Sequence, residues 1–197
     1  MYKRLFDFTF SLIGTILFLP FLIIILSIIW LNDFKNPFYI SLRVGKKGKQ
    51  FKLIKLRSMV IDADKFNINS TSSDDFRITK IGKFIRKFKI DEIVQLINVM
   101  LGDMSIVGPR PNVKSETDHY SHEEKKILDM KPGITDFSSI IFSDEGDILE
   151  GSENPDLLYN QIIRPYKSRF AIFYVENHNL KMDIYLIILT LYSIVNR

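Results

Sequence analysis

Residues 8 to 31 form one uninterrupted apolar segment, FTFSLIGTILFLPFLIIILSIIWL, with no charged side chain in 24 residues. As a helix that rises about 1.5 Å per residue, this segment is long enough to cross a hydrocarbon core of about 30 Å. It is longer than the apolar region of a signal peptide, and no small-residue cleavage site follows it. Trp30 stands near its end, where an indole favours the membrane interface. We therefore predict a membrane-inserted helix over residues 1–34.

The flanks of this segment leave its topology open. Lys3 and Arg4 precede it and a dense basic block follows it, and cytoplasmic flanks collect such residues. Pro20 lies at the centre, where a proline removes one helical hydrogen bond and kinks a helix. Membrane helices tolerate a proline when other groups satisfy the backbone, and Ser11 and Thr15 are available. A kinked helix that re-enters on the same side and a helix that spans are equally compatible with these residues.

The rest of the chain is unevenly charged. Hydrophobic residues make up 46% of the sequence, which argues against disorder, and the absence of cysteine excludes disulfides and thiolate metal sites. Eight bases and no acid follow the apolar segment: Lys35, Arg43, Lys46, Lys47, Lys49, Lys52, Lys55 and Arg57. Six more bases precede residue 90: Arg77, Lys80, Lys83, Arg86, Lys87 and Lys89. A solvated basic face explains either block alone, but together they indicate attraction to phosphate in nucleic acid, anionic lipid or a substrate.

Periodicity predicts an α+β fold that is mainly helical. Residues 38–59 contain two short strands around a glycine-containing turn, a small β-hairpin. The polar residues 62–75 are predicted to form a loop. In residues 79–89, apolar side chains recur at helical spacing among lysines and arginines. This pattern is typical both of an interfacial helix on an anionic membrane and of a core-packed helix with a basic outer face. A helical stripe of apolar residues follows in residues 90–101.

The C-terminal half is predicted to be helical. His119 and His122 lie on a polar helix and lack a third ligand at matching spacing, so we expect no metal there. Residues 154–178 are typical of a helix that is interrupted at Pro165. The last apolar stretch, residues 182–195, is too short to span a membrane and is predicted to be a buried or interfacial helix.

Asp91 and Glu92 open the helix predicted over residues 90–101. Aspartate is a favourable N-cap and acids in the first turn suit the helix dipole, so capping is the simplest interpretation. Six nearby bases, however, hold both carboxylates ionised. An ionised carboxylate can attack phosphorus, and two adjacent carboxylates can bind Mg²⁺ together with substrate phosphates. The alternative is therefore a catalytic pair, Asp91 and Glu92, that also binds the metal.

The Gly-Pro-Arg-Pro sequence at residues 108–111 is predicted to present a phosphate ligand. Each proline fixes its own φ and restricts the residue before it, so Arg110 is held at low entropic cost. Its planar guanidinium matches phosphate oxygens. A turn with a surface arginine is the common alternative. Three further bases are expected to surround the same anion: Arg43, Lys55 and Arg57.

Several motifs occur together along nearly the whole chain. They include Lys3-Arg4 with Asp7, Arg43-Val-Gly45, and the sequences FKLIKLRSM, TKIGKFIRKFKIDEIVQLINVMLGDMSIVGPRP, KPGIT and YVENHNLKMDIYLIILT. With these motifs the chain resembles the bacterial sugar transferases, the monotopic phosphoglycosyl transferases that begin glycan assembly on a polyprenyl carrier. The long run that contains Asp91 and Arg110 is the most specific part of the resemblance.

The resemblance implies a two-step mechanism. In the family, the Asp that matches Asp91 attacks the β-phosphorus of a UDP-sugar and UMP leaves. A polyprenyl phosphate, undecaprenyl phosphate in bacteria, then takes the phosphosugar from the enzyme, as in ping-pong kinetics. The Glu that matches Glu92 completes a Mg²⁺-dependent pair, and the Arg that matches Arg110 contacts phosphate.

The resemblance also implies a location. The family's membrane helix is re-entrant, which favours a break at Pro20, and residues 35–197 are expected to form a catalytic domain on the cytoplasmic face of the bacterial inner membrane. The expected partners are a UDP-sugar, a polyprenyl phosphate and the lipid bilayer, with no nucleic acid. The residues do not indicate an oligomeric state.

The chain departs from the family pattern in places. Leu19 stands where members often carry Ser, Asp136 and Phe137 follow KPGIT, and residues 138–165 differ from the smallest members. These positions bear on sugar recognition, so no sugar is predicted. The competing hypothesis is a membrane-tethered basic module that binds anionic lipid or nucleic acid. That hypothesis needs only the basic blocks and leaves the acidic pair unexplained.

Overall fold

The computed structural model describes residues 2–66, 68 and 70–196. Its longest element is α1, a 32-residue helix over Tyr2–Asp33. It is the one helix in the described part of the chain that is long and apolar enough to cross a membrane, which confirms the predicted apolar helix. One stripe of α1 is buried against the rest of the chain, and it comprises Asp7, Ser11, Leu22, Ile25 and Ile29. The opposite side of the helix exposes large apolar side chains.

The backbone of α1 is helical on both sides of Pro20. The helix is therefore not interrupted at Pro20, where we predicted a break. A bend at Pro20 and re-entry into the membrane both stay predictions. Ser11 before the proline and Leu22 after it are both buried against the same folded body, which keeps the helix continuous. The lost backbone hydrogen bond at a proline is tolerated in such a setting.

Polar contacts hold both ends of α1 on the same folded body. Lys3 Nζ lies 2.6 Å from Asp183 Oδ2, close to the other end of the chain. Arg4 donates hydrogen bonds to two backbone carbonyl oxygens at 2.5 and 2.7 Å. At the C-terminal end of α1, Asp33 accepts from Arg57 Nη2 at 2.7 Å. These contacts tie α1 to the rest of the chain at both of its ends.

The predicted β-hairpin is confirmed. β1 (Phe38–Val44) pairs antiparallel with β2 (Gln50–Leu56), with Phe38 opposite Leu56. The turn between them uses the left-handed region at Gly48, whose φ is 73°. Leu56 packs with the buried stripe of α1 in one hydrophobic cluster. The hairpin therefore lies directly against α1.

The segment that follows the loop is helical, as predicted. α2 spans Lys80–Lys87, and a 3₁₀ helix over Ile90–Gln95 leads into α3, Leu96–Leu101. Ile85 on α2 is fully buried in the cluster with α1, whereas Phe84 is exposed. α2 is thus a core-packed helix with a basic outer face, the second of the two arrangements that its sequence allows.

The structure contains a second sheet that the sequence patterns do not predict. β3 (Ser105–Val107) and β4 (Gly133–Thr135) form a parallel pair. Ser105 Oγ donates to Asp7 at 2.9 Å, which joins β3 to α1. Strands of three residues are too short for an alternating pattern to appear in the sequence.

The C-terminal half is mostly helical, as predicted. Residues 155–177 are helical throughout, and a π-helical turn over Tyr159–Ile163 interrupts the α-helical pattern just before Pro165. The polar helix predicted around His119 is a 3₁₀ helix over Glu124–Asp129, because Ser121 and Glu124 form a capping box that starts it late. The α-helices are α4 (Lys114–Thr117), α5 (Phe137–Ile141), α6 (Glu145–Ile148), α7 (Pro155–Leu158), α8 (Arg164–Asn177) and α9 (Leu180–Val195).

The polar segment of residues 62–75, predicted as a loop, carries one short element, the 3₁₀ helix Ala63–Phe66. Asn67 and Asn69 of this segment lie outside the described residues. The end of the segment is fixed by Arg77, whose guanidinium donates to the Asp75 carboxylate at 2.6 Å and to backbone carbonyls of the loop.

Candidate active site

Asp91 and Glu92 lie side by side in the first turn of the 3₁₀ helix that follows α2. Both are buried, with 8% and 7% of their surfaces exposed. The N-cap position is Lys89, in the left-handed region, so Asp91 is not the N-cap, but both acids lie in the first turn, where they suit the helix dipole as predicted. Asn98 holds this region against β2, because its Oδ1 accepts from the Ile54 N–H at 3.1 Å. The acidic pair therefore faces the side chains of the hairpin.

Glu92 is fully paired. Its Oε1 lies 2.9 Å from Lys55 Nζ and 2.5 Å from Arg110 Nη2, and Arg110 Nη1 lies 3.4 Å from Oε2. Burial alone would raise the pKa of this carboxyl, but the charges of Arg110 and Lys55 outweigh burial and lower the pKa well below its usual value. Glu92 thus stays ionised and fixes the positions of two cations.

Asp91 differs from its neighbour. Within the described part of the chain, no group donates a hydrogen bond to its carboxylate, and Lys55 Nζ lies 3.9 Å from Oδ2. Burial raises the pKa of Asp91; the charge of Lys55 opposes this effect and that of Glu92 reinforces it. The Asp91 carboxylate lines the cleft, and a cleft carboxyl with a raised pKa is typical of reactive or ligand-binding positions.

Arg110 is positioned by a close approach of two backbone segments. A Cβ atom at Gly133 would lie 2.1 Å from the Gly108 nitrogen, so only glycine fits there. The Gly133 N–H donates to the Pro109 carbonyl at 2.9 Å, and the Gly108 N–H to the Thr135 carbonyl at 3.1 Å. These bonds attach the proline-flanked arginine to β4, and the charge of Glu92 raises the pKa of Arg110.

Two other predicted phosphate ligands, Arg57 and Arg43, have different surroundings. Arg57 is buried and directed to Asp33 at the end of α1, so a phosphate role for it stays a prediction that would require it to leave this partner. Arg43 is partly buried and forms no ion pair with any described carboxylate. Burial and the nearby charge of Arg110 lower the pKa of Arg43. Arg43 and Arg110 therefore form a cationic pair that an anion would stabilise.

Arg86 is a site residue that the sequence patterns do not single out. Its Nε donates to Ser58 Oγ at 2.9 Å, and its guanidinium forms no ion pair among the residues described. Burial lowers its pKa, while the charge of Asp91 opposes the shift. In the sequence Arg86 is one of six bases in a block. The sequence feature that could have identified Arg86 is its position next to Ile85, on the side of α2 that faces the protein interior.

These side chains line one cleft of about 1770 Å³. The cleft exceeds the roughly 300–1,000 Å³ of a typical small-molecule pocket, so it has room for a large substrate or for two substrates together. Besides the acidic pair and its cations, the cleft is lined by polar side chains that sequence patterns do not predict as site residues: Asn112, Glu116, Tyr120, Tyr159 and Arg164.

The acidic pair is the candidate metal site. Throughout the described ranges there is no group of three or more His, Asp or Glu side chains suited to a metal. This holds around His119 and His122 as well. Two carboxylates are too few for an all-protein cage. Mg²⁺, however, is commonly held by one or two carboxylates together with substrate phosphates, and Asp91 and Glu92 fit that pattern.

Comparison with known proteins identifies relatives of this chain. The family model for bacterial sugar transferases matches residues 1–197. A Bacillus subtilis protein provisionally named as an undecaprenyl-phosphate N-acetylgalactosaminyl 1-phosphate transferase is 46% identical over 121 residues, 61% of this chain and 68% of that protein. The UDP-glucose:undecaprenyl-phosphate glucose-1-phosphate transferase of Klebsiella pneumoniae is 30% identical over 98% of this chain, which spans 40% of that enzyme. The exopolysaccharide production protein ExoY of Sinorhizobium fredii is 29% identical, over 96% of this chain and 83% of its own length.

The chain belongs to the bacterial sugar transferase family. It is an enzyme of the phosphoglycosyl transferase class, and the predicted resemblance is confirmed. The match includes α1, the hairpin and the segment that carries Asp91, Glu92 and Arg110. A module that only tethers to membranes and binds anionic lipid or nucleic acid would leave this membership unexplained.

Proposed function

We propose that this chain transfers a sugar-1-phosphate from a UDP-sugar to polyprenyl phosphate, with undecaprenyl phosphate as the carrier, and releases UMP. The intermediate is a phosphosugar bonded to Asp91. The observation that carries the proposal is the contrast within the acidic pair: Glu92 is held by two cations, whereas Asp91 is buried without a hydrogen bond from the described residues. The product is the first lipid-linked intermediate of a capsule, O-antigen, exopolysaccharide or glycoprotein glycan.

Two displacements at one phosphorus account for the transfer. First, an Asp91 oxygen bonds to the β-phosphorus of the donor, and the bond from that phosphorus to the bridging oxygen breaks, so UMP leaves with the electron pair. Then an oxygen of polyprenyl phosphate bonds to the same phosphorus, and the Asp91–phosphorus bond breaks to restore the carboxylate. Since each displacement is in line, the lipid phosphate approaches from the side that UMP vacated.

The cations of the cleft make the first step feasible. An anionic carboxylate is repelled by an anionic diphosphate unless positive charge is already in place. Lys55 and Arg110 are held there by Glu92, which acts as a positioning residue. Arg43 and Arg86, which lack carboxylate partners in the described structure, are assigned to the donor and lipid phosphates.

Mg²⁺ is the proposed cofactor, held by Asp91 and Glu92 with the donor phosphates. The donor set fits, because the Asp91 oxygens accept no hydrogen bond from described residues, Glu92 Oε2 accepts only a long one of 3.4 Å from Arg110, and hard cations prefer oxygen ligands. When bound, the ion neutralises charge on the diphosphate.

Removal of divalent cations is expected to abolish UMP release, and added Mg²⁺ to restore it. The melting temperature in detergent should change little, because the Glu92 carboxylate keeps Lys55 and Arg110 as partners without the ion. Full turnover in an excess of chelator would remove Mg²⁺ from the mechanism.

We further propose that α1 enters the cytoplasmic leaflet of the bacterial inner membrane and does not cross it. A 32-residue helix is about 48 Å long, yet Lys3 near one end and Asp33 at the other are bonded to the same folded body. A spanning helix would carry one of these ends away from its partner. α9 supplies a second apolar surface, since most of its apolar side chains are exposed and Leu186 is its one fully buried apolar residue.

Labelling at the two flanks of α1 tests this topology. The chain has no cysteine, so Tyr2→Cys and Lys49→Cys each give a single thiol at an exposed position. With a membrane-impermeant maleimide, we expect neither variant to be labelled in intact spheroplasts and both to be labelled after lysis. Labelling of the residue-2 variant alone in intact spheroplasts would show that α1 spans the membrane.

UMP formation tests the activity itself. Membranes that contain the protein are incubated with a panel of UDP-sugars and undecaprenyl phosphate. We expect at least one donor to yield UMP and lipid-linked sugar phosphate in equal amounts. Folded protein that releases no UMP from any donor would contradict the proposed function.

A further inference from the structure

The same cleft carries polar side chains that the two phosphoryl steps do not use. Asn112 is at their centre, because its Nδ2 donates at 2.9 Å both to Glu116 Oε1 and to the Tyr120 hydroxyl. Tyr159 lines the cleft with them, and burial and the charge of Glu116 raise its pKa. We call Asn112, Glu116, Tyr120 and Tyr159 the oxygen cluster.

The oxygen cluster presents hydrogen-bond acceptors that the described residues leave unused. None of these residues donates to Asn112 Oδ1, to Glu116 Oε2 or to the Tyr159 hydroxyl oxygen. The nearby cation Arg164 is already engaged, with its Nε 3.6 Å from Glu116 Oε1 and its Nη2 3.3 Å from Glu124 Oε1. A ligand in this part of the cleft therefore meets three unused acceptor oxygens together with the O–H donors of Tyr120 and Tyr159.

The chain places the oxygen cluster next to the phosphate-binding cations. Asn112 follows Arg110 by two residues, with Pro111 between them. Its carbonyl oxygen accepts from the Val44 N–H at 2.9 Å, directly after Arg43 at the end of β1. A phosphate bound by Arg43 and Arg110 thus places its next substituent against the cluster.

We propose that the oxygen cluster binds the hydroxyl groups of the donor's sugar and selects which UDP-sugar reacts, an inference that rests on the proposed function. A hexose presents several hydroxyl groups, which match these acceptors and O–H donors, whereas uracil offers a single N–H donor and the ribose only two hydroxyl groups. Glu116 discriminates most, because an epimer whose hydroxyl points elsewhere leaves the carboxylate unsatisfied.

Glu116→Gln tests this assignment. For the wild type, the best UDP-sugar and its ring epimers are ranked by kcat/KM for UMP release. In the variant we expect the preference for the best donor over its epimer to fall by about 10- to 100-fold, because a charge-assisted hydrogen bond is lost. The inhibition constant of UMP should stay unchanged, since UMP carries no sugar.

Glu124→Gln is the matched control. Glu124 contacts the same Arg164 but does not line the cleft, so its variant should keep the wild-type donor preference. If Glu116→Gln lowers kcat/KM for all donors and weakens inhibition by UMP by the same factor, the cluster binds the uridine and the inference is wrong. An unchanged donor ratio also overturns it.

A third variant tests the inference independently, in case Glu116→Gln does not fold. Tyr159→Phe removes only a hydroxyl, and we expect the same reduction of donor preference in smaller degree. An unchanged ratio in Tyr159→Phe overturns the inference even when Glu116→Gln does not fold. Absence of UMP from every donor with the wild type would instead refute the proposed function.

Discussion

UMP release is expected to fall by at least about 1,000-fold when Asp91 is replaced by Asn, because an amide cannot supply the attacking oxygen. The same change should leave the melting temperature unchanged or raise it. Burial raises the pKa of Asp91, so the folded state binds this proton more tightly than the unfolded chain does. At pH 7 the ionised carboxylate therefore destabilises the fold, and a neutral amide removes that cost.

Glu92→Gln is the matched control, since Glu92 is adjacent to Asp91 and similarly buried. Its pKa is lowered, so its ionised form stabilises the fold at neutral pH, and that contribution is lost as the pH falls through the lowered pKa. The substitution also leaves Lys55 and Arg110 without their carboxylate, and we expect a lower melting temperature. Wild-type turnover in Asp91→Asn would refute its role as nucleophile, and a Glu92→Gln protein more stable than Asp91→Asn would refute this electrostatic account.

Gly133→Ala is expected to destabilise the protein by about 3 kcal/mol or more, a cost set by overpacking. The new Cβ would lie 2.1 Å from the nitrogen, 2.4 Å from the oxygen and 2.7 Å from the Cα of Gly108, all backbone atoms that cannot rotate away. Relief requires β4 to separate from the Gly108–Pro109 segment. For a chain of this size the melting temperature should fall by about 6–12 °C. UMP release should also fall, because Arg110 moves with that segment.

Gly48→Ala is the control for the backbone effect alone. Gly48 has a positive φ of 73° in the hairpin turn, but no atom lies within 4 Å of an added Cβ. We expect a loss of about 1–2 kcal/mol from the left-handed conformation and no change in UMP release per folded molecule. A Gly133→Ala protein as stable as Gly48→Ala would show that the close approach at Gly108 does not constrain the fold.

The sequence predicts those elements whose signal is local. The apolar run of α1 and the turn glycine between β1 and β2 are read directly from neighbouring residues. The sequence also places an acidic pair and a proline-restricted arginine in one specific motif, but it does not predict that Glu92 pairs directly with Arg110. Pro20 is a partial failure: its local signal predicts a break, but packing on both sides of it keeps the helix continuous.

Features that depend on distant contacts could not be predicted. Lys55 and Arg57 are two residues apart and chemically alike as bases, yet one meets Glu92 and the other meets Asp33 at the end of α1. The parallel pairing of β3 with β4 joins segments too short to show a pattern. The oxygen cluster is likewise assembled by the fold, since Asn112 and Tyr159 are far apart in the sequence.

Incubation of the purified protein with a labelled UDP-sugar, without polyprenyl phosphate, tests covalent transfer most directly. The mass of the protein should rise by one phosphosugar, peptide mapping should place it on Asp91, and UMP should appear in an amount equal to the adduct. Polyprenyl phosphate should then discharge the adduct, and Asp91→Asn should form none. Lipid-linked product that accumulates at the full rate while rapid quenching finds no adduct would contradict this mechanism.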